Sequence, residues 1–436
     1  MSNITASGRA PRVRRRVRTR LAADASASFQ IAKAPTRIGL ALAGGGPLGG
    51  IYEVGALLAL ADSLDGVDFN DLDVYVGVSS GGFVAGALAN GISPTQMYRL
   101  FIAEGVDAAL KPEIFLRPAF GEFRRCLTAL PGLAVRAAIK YLRDPFHRGV
   151  MESFATLAQA VPTGVFDNGV IDAFMARLFA APGRTNDFRK LGRKLFLVAT
   201  NLDTGASVTF GAPGHDHVPI SRAIEASSAL PGLFPPVEID GEHYVDGALN
   251  KTLHASVALD EGVSLLFCVN PLVPFDASSG THQRGLSRPK LNQGGLALVL
   301  GQTFRAIIHS RMKVGMEKYA RQYPDARILL FEPGPEDADM FFANIFSYGQ
   351  RRRLCALAFE RTRRNLLGRA DALAPSLARH GITLRLDRLL DPTRSVTDAL
   401  TDPRPLHAHA QGDVRRTARD LRHTLVHLER WLASAH

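Results

Sequence analysis

Two glycine turns, each closing a short apolar run, constrain this chain more than any other feature of it. The first is Gly44-Gly45-Gly46-Pro47-Leu48-Gly49, after Ile38-Gly39-Leu40-Ala41-Leu42; the second is Gly77-Val78-Ser79-Ser80-Gly81, after Asp73-Val74-Tyr75-Val76. An apolar run this short that stops at glycine reads as a buried strand entering a tight turn. Behind each turn the spacing becomes helical: Ile51, Val54, Leu57, Leu58 and Ala61 share one side over 48–64, and Val84, Leu88 and small alanines follow the second turn. Strand, turn, helix, repeated once, begins a doubly wound α/β fold with parallel strands. Further strands are expected at 194–200, 263–269 and 327–331.

The turns also carry chemistry. Gly77-Val78-Ser79-Ser80-Gly81 has the G-x-S-x-G form that lifts a serine onto a strained strand-to-helix corner, where side chains two positions either side would collide. In a glycine-rich chain this pattern is weak alone. The first turn is ambiguous: Gly44, Gly46 and Gly49 also satisfy G-x-G-x-x-G, with Asp62, Asp65 and Asp68 near where a dinucleotide fold places its ribose-binding acid. A dinucleotide enzyme has no use for a serine elbow at the end of the next strand, so the second turn shifts the balance to a nucleophile facing an anion cradle. A serine nucleophile needs a base, and Asp246, in Tyr244-Val245-Asp246-Gly247-Ala248, stands where an apolar strand runs into a turn.

These two turns, Asp246-Gly247-Ala248 and the stretch Ala226-Ser227-Ser228-Ala229-Leu230-Pro231-Gly232-Leu233-Phe234-Pro235-Pro236 together resemble the patatin-like phospholipase family, in the family's order, over residues 37–250. The resemblance implies a three-layer α/β hydrolase fold with a central, mostly parallel sheet flanked by helices. It implies Ser79 as nucleophile on an elbow bounded by Gly77 and Gly81, and Asp246 as the general base that takes its proton without a histidine. Gly44, Gly45, Gly46 and Gly49 would supply the oxyanion hole. The chemistry is self-consistent: an ester leaves as an alkoxide, so a base weaker than imidazole suffices if fixed donors hold the oxyanion, each contributing about 2.7 to 4 kcal/mol. The implied activity is phospholipase A or lysophospholipase cleavage of membrane lipids through an acyl-Ser79 intermediate. Neutral acylglycerol lipase or general carboxylesterase activity is the alternative, and a lipid-surface binding protein with a silent dyad is the reading from another class. No cofactor or metal is implied. Leu48 departs from the Lys or Arg of many relatives, which removes a cation beside the loop and would favour less charged acyl substrates.

Charge locates a separate feature. The formal net charge is +11, but residues 1–20 hold Arg9, Arg12, Arg14, Arg15, Arg16, Arg18 and Arg20 and no acid, leaving 45 of the 52 basic residues against 41 acidic ones. The excess is a tail, not a nucleic-acid-binding face of the fold. Residues 1–34 read as a disordered arm suited to anionic lipid headgroups, where each Arg contributes roughly 1 kcal/mol; an organellar leader and nucleic acid are the other readings. Cys126, Cys268 and Cys355 are odd in number and without a C-x-x-C pair, so neither a disulfide framework nor a zinc site is indicated. The cysteines fit a reducing compartment, the cytoplasm, and because no apolar run approaches the ~18 to 20 residues a membrane span needs, a soluble or peripherally attached protein is expected.

The remaining organisation reads as a catalytic domain at 35–275 with a helical insertion at 106–165, an extension at 276–403 and an amphipathic helix at 404–436. The insertion carries Phe115, Leu116, Phe120, Phe123, Leu127, Leu130, Leu133, Tyr141, Leu142 and Phe146, broken by prolines and studded with Arg. It is either packed on the core or a lid and interfacial surface, and exposure of its aromatics decides for the second. Leu300, Phe304, Ile308, Met312 and Met316 step by four, a face expected to bury against the sheet. In the last helix, Val414, Ala418, Leu421, Leu425, Leu428 and Leu432 would dock within the chain, pair with a second copy, or bind a membrane surface. His243 reads as exposed or core-edge, His215 and His217 as a polar turn, and His423 and His427 share a helical face without the Glu of a zinc-protease motif.

Overall fold

The computed structural model describes residues 36–103, 117–143, 156, 158–276, 295–335, 337 and 347–401. The arm at 1–34, the terminal helix with His423 and His427, and Phe115, Leu116 and Phe146 lie outside the described residues. In chain order the strands are β1 (Ile38–Leu42), β2 (Leu64–Asp65), β3 (Val74–Val78), β4 (Lys194–Asn201), β5 (Ser207–Phe210), β6 (Val237–Ile239), β7 (Glu242–Asp246), β8 (Leu265–Val269), β9 (Arg327–Phe331) and β10 (Thr383–Leu384). The helices that matter below are α1 (Gly46–Ser63), α2 (Ser80–Ala89), α3 (Pro94–Phe101), α4 (Phe120–Arg143), α5 (Gly169–Phe179), α6 (Ile220–Ser227), α7 (Ala255–Asp260), α8 (Gly295–Gln322) and α9 (Tyr348–Gly368).

Eight strands form one sheet in the order β6-β7-β4-β3-β1-β8-β9, with β5 also pairing β4. The five strands from β4 to β9 are parallel; β5, β6 and β7 are antiparallel. The expected strands at 194–200, 263–269 and 327–331 all lie in this sheet. Strand residues alternate between two cores, as the period of two requires. Leu40, Leu42, Tyr75, Leu197, Phe267 and Phe331 face one side with α1, α2 and α9. Ala41, Val74, Val76, Val78, Val198 and Cys268 face the other with α7 and α8. That is the three-layer α/β hydrolase architecture, helix, sheet, helix. All three cysteines are free thiols.

Helix α1 is buried nearly all round, which its even hydrophobicity dictates. Its far end is anchored by Asp62, whose carboxylate accepts from Arg388 Nη1 at 2.5 Å and from Arg394 Nε and Nη2 at 2.7 and 2.6 Å. Asp62 is thereby committed to structure, while Asp65 and Asp68 accept from the N–H groups of Gly66 and Asn70. None of the three stands as a free ribose acid.

Two expectations change. In α8 only the second half buries: Ile308 and Met312 pack on the sheet, whereas Leu300 and Phe304 are exposed. Pro131 does not break α4 but lies inside it; the acceptor it leaves, Leu127 C=O, sits on an exposed stretch where water can satisfy it.

Candidate active site

Sheet register explains how a serine and an aspartate far apart in sequence meet. Ala199 of β4 pairs with Val208 of β5 on one edge, so its other partner, Asp246 of β7, is on the opposite edge. Val198 pairs with Val78 of β3 on that same opposite edge. Strands β3 and β7 therefore approach each other head-on along β4, one rising and one descending, and Ser79 and Asp246 are the residues at their meeting point.

The elbow is built by close approach. Ser79 has φ 53° and ψ −123°, a left-handed conformation costing about 1 to 3 kcal/mol that only an over-determined surrounding sustains. A Cβ on Gly81 would sit 2.5 Å from Leu42 O, and one on Gly77 2.6 Å from Gly81 O. The two glycine turns are thus pressed side by side. A Cβ on Gly44 would lie 3.0 Å from Ser79 Cβ, so the first loop runs directly over the serine; Gly45 and Gly49 are packed beneath Pro271, and Gly46 has φ 61°. Among the described residues, no backbone acceptor takes the N–H groups of Gly44, Gly45 or Gly46. Leu48 is half-buried against the core.

The Ser79 side chain lies beside the Asp246 carboxylate, and Asp246 Oδ1 accepts from Ala248 N at 2.8 Å. Asp246 is 3 % exposed and Ser79 6 %. Burial pushes the Asp246 carboxyl up to about 6 against the lowering effect of the Ser79 side chain and the Ala248 N–H. It is therefore ionised at neutral pH yet more basic than an ordinary aspartate. The main chain around it is clamped: Asp246 N donates to Ala229 O at 3.0 Å, and Thr200 Oγ1 donates to Asp246 O at 3.2 Å. Ser79 is also the N-cap of α2, whose positive end favours developing negative charge at that position.

Two supporting residues were not foreseen. Ser227 Oγ accepts from Ser79 N at 2.8 Å and donates to Val198 O at 2.6 Å, a fully buried strut between the elbow and β4. It lies in the quoted 226–236 stretch, but nothing local says that its hydroxyl reaches 148 positions back. His254 is buried beside the Asp246 turn, with Nε2 donating to Gly247 O at 3.3 Å. Burial lowers its pKa to about 4, so it is neutral at pH 7.

The discounted histidines stay apart. His243 is half-exposed with Nδ1 3.8 Å from Asp203, and His217 pairs with Asp240 at the surface. Among the described residues no group of His, Cys, Asp and Glu could hold a metal. A cavity of about 540 Å3 opens beyond the ends of β8 and β9, lined by Phe275, Asp276, His309, Lys313 and Glu332 among others. Neither Ser79 nor Asp246 lines it.

Residues 40–259 match the family model described as patatin-like phospholipase, half of the chain. The chain belongs to the patatin-like phospholipase family. That match spans both glycine turns, Ser227 and Asp246. Among solved structures, VipD from Legionella pneumophila is 15% identical over 76% of this chain and 67% of its own, with a TM-score of 0.35. The type III effector protein ExoU is 15% identical over 84% of this chain and 61% of its own, also with a TM-score of 0.35. Full-length ExoU of Pseudomonas aeruginosa, solved with SpcU, is 23% identical over 46% of this chain and 38% of its own, with a TM-score of 0.23. This patatin-like chain spans less than two thirds of the length of ExoU.

Proposed function

We propose that this patatin-like protein is a lipid acyl hydrolase of phospholipase A or lysophospholipase type, with Ser79 as nucleophile and Asp246 as general base. The observation that carries the reading is the Ser79 side chain placed beside a buried carboxylate that it influences directly, with no histidine between them. Asp246 takes the hydroxyl proton as Ser79 Oγ attacks the ester carbonyl carbon. The Gly44–Gly46 loop lies over the serine, and in this reading its N–H groups receive the oxyanion. Collapse breaks the acyl C–O bond; the leaving alkoxide takes the proton from Asp246 and departs as an alcohol, leaving acyl-Ser79. Water then attacks the acyl carbon, gives a proton to Asp246, and Ser79 leaves as that proton returns to Oγ.

Burial supports Asp246 in this role twice over: it raises basicity, and it strengthens the electrostatics of the oxyanion donors. Among the described residues no helix is long and apolar enough to cross a membrane, which fits a protein that meets its lipid from the surface. Ser79→Ala and Asp246→Asn test the reading on a soluble aryl ester. Each is expected to lower kcat by at least about 10³-fold with circular dichroism unchanged. Wild-type turnover in either variant would remove the dyad, and failure of a fluorophosphonate to label folded wild-type protein would favour a silent lipid-binding protein.

A further inference from the structure

Helix α4 presents three distinct faces. Leu133 and Ala137 are its buried residues, and Glu122 and Cys126 are half-buried on the same side. Phe120, Leu127, Val135 and Leu142, at steps of seven and eight, share a second side and are 75%, 65%, 59% and 77% exposed, with Arg124 exposed in the same line. Arg125, Arg136 and Lys140, at steps of eleven and four, are exposed on the third. The apolar side runs from Phe120 to Leu142, 22 steps or about 33 Å at helical rise. An apolar face this long, with Arg124 in its line and further cations on another side of the helix, is the pattern of a helix lying in a bilayer interface.

We propose that α4 is the surface by which the protein docks on anionic lipid bilayers, apolar side inserted and Arg125, Arg136 and Lys140 against the headgroups. Charge selects this occupant over a second copy of the chain. The one acid on the helix, Glu122, is engaged by Arg125 and by Thr163 Oγ1, so self-pairing would set the basic residues of two copies against each other. The docked surface also leads to the dyad. Gly232 N donates to Thr163 O at 3.2 Å, Phe166 N donates to Leu233 O at 2.8 Å, and Asp246 N donates to Ala229 O in the same loop. Val161, Val165 and Leu233 along this path are themselves exposed. The catalytic purpose of docking rests on the acyl-hydrolase reading; the docking itself does not.

The test is co-sedimentation of the full chain with vesicles of phosphatidylglycerol and phosphatidylcholine. At about 1 M salt, with a Debye length of ~3 Å, the Arg-rich arm is screened and insertion remains. Leu127→Asp with Leu142→Asp is expected to weaken binding there by at least about tenfold, with soluble-ester turnover unchanged. At low salt, Arg136→Gln with Lys140→Gln should weaken binding to the anionic vesicles but not to pure phosphatidylcholine. Ser79→Ala should bind as wild type, so that loss of hydrolysis and loss of docking are read separately. Wild-type binding by the leucine pair overturns the proposal. So does a wild-type dimer that the leucine pair dissociates while vesicle binding persists.

Discussion

Asp246 holds a charge that its surroundings disfavour, and that tension is measurable. Its carboxyl is raised from 3.8 to about 6, so the fold prefers the neutral form. Stability therefore falls as pH rises from about 4 through 6, and above that the ionised group costs about 3 kcal/mol. Asp246→Asn, which cannot ionise, is expected to unfold at higher urea than wild type at pH 8 and at similar urea at pH 4; equal midpoints at pH 8 would contradict the assigned burial. The same ionisation should govern activity: kcat/KM on a soluble ester is expected to rise tenfold per pH unit and level off above about 6, and a flat profile from pH 5 to 8 would exclude Asp246 as the base. Ser227 acts through another residue. Ser227→Ala leaves Ser79 N–H and Val198 O buried without their partner, each costing roughly 1 to 3 kcal/mol. The expected result is a lower kcat with KM unchanged, recovered by Ser227→Thr; unaltered kcat would reduce the strut to scaffolding.

At the scale of elements, the site is a junction: the ends of β3 and β7, the loop before α1 and the first turn of α2. Gly81→Ala forces its Cβ into Leu42 O and should separate the two turns, so loss of fluorophosphonate labelling is expected even in protein that still folds. Helix α1 depends on its far anchor as well. Asp62→Ala leaves Arg388 and Arg394 without their buried carboxylate, and a loss of about 3 to 5 kcal/mol in urea unfolding is expected; an unchanged midpoint would mean that water replaces the pair freely. Much of this junction was legible in sequence, because β1, β3, β4 and β8 are short apolar runs and glycine marks the exits of β1 and β3. The hairpin of β6 and β7 was not recognised, although Asp240 and Gly241, with φ of 54° and 81°, form an Asp-Gly turn that the sequence does carry. Ser227 and His254 were not legible at all: long-range register decides what a buried hydroxyl or imidazole touches, and one-dimensional spacing does not hold it. The exposure of α4 was likewise open, since the same periodicity serves a buried helix and an interfacial one.

For the whole molecule, the net charge and the fold act separately. Seven arginines in the first twenty residues supply most of the net charge of +11, while the candidate site combines a glycine loop with one buried carboxylate. Deleting residues 1–30 is therefore expected to weaken binding to anionic vesicles at low salt and leave soluble-ester turnover intact; unchanged vesicle binding would give the arm another role. The central claim is acyl–oxygen cleavage through Ser79, and mass spectrometry of products from mixed phospholipids in 18O water tests it most directly. Free fatty acid carrying 18O, with unlabelled lysophospholipid, and neither product from Ser79→Ala, is the expected result. Diacylglycerol, a released headgroup, or label in the lysophospholipid would contradict it.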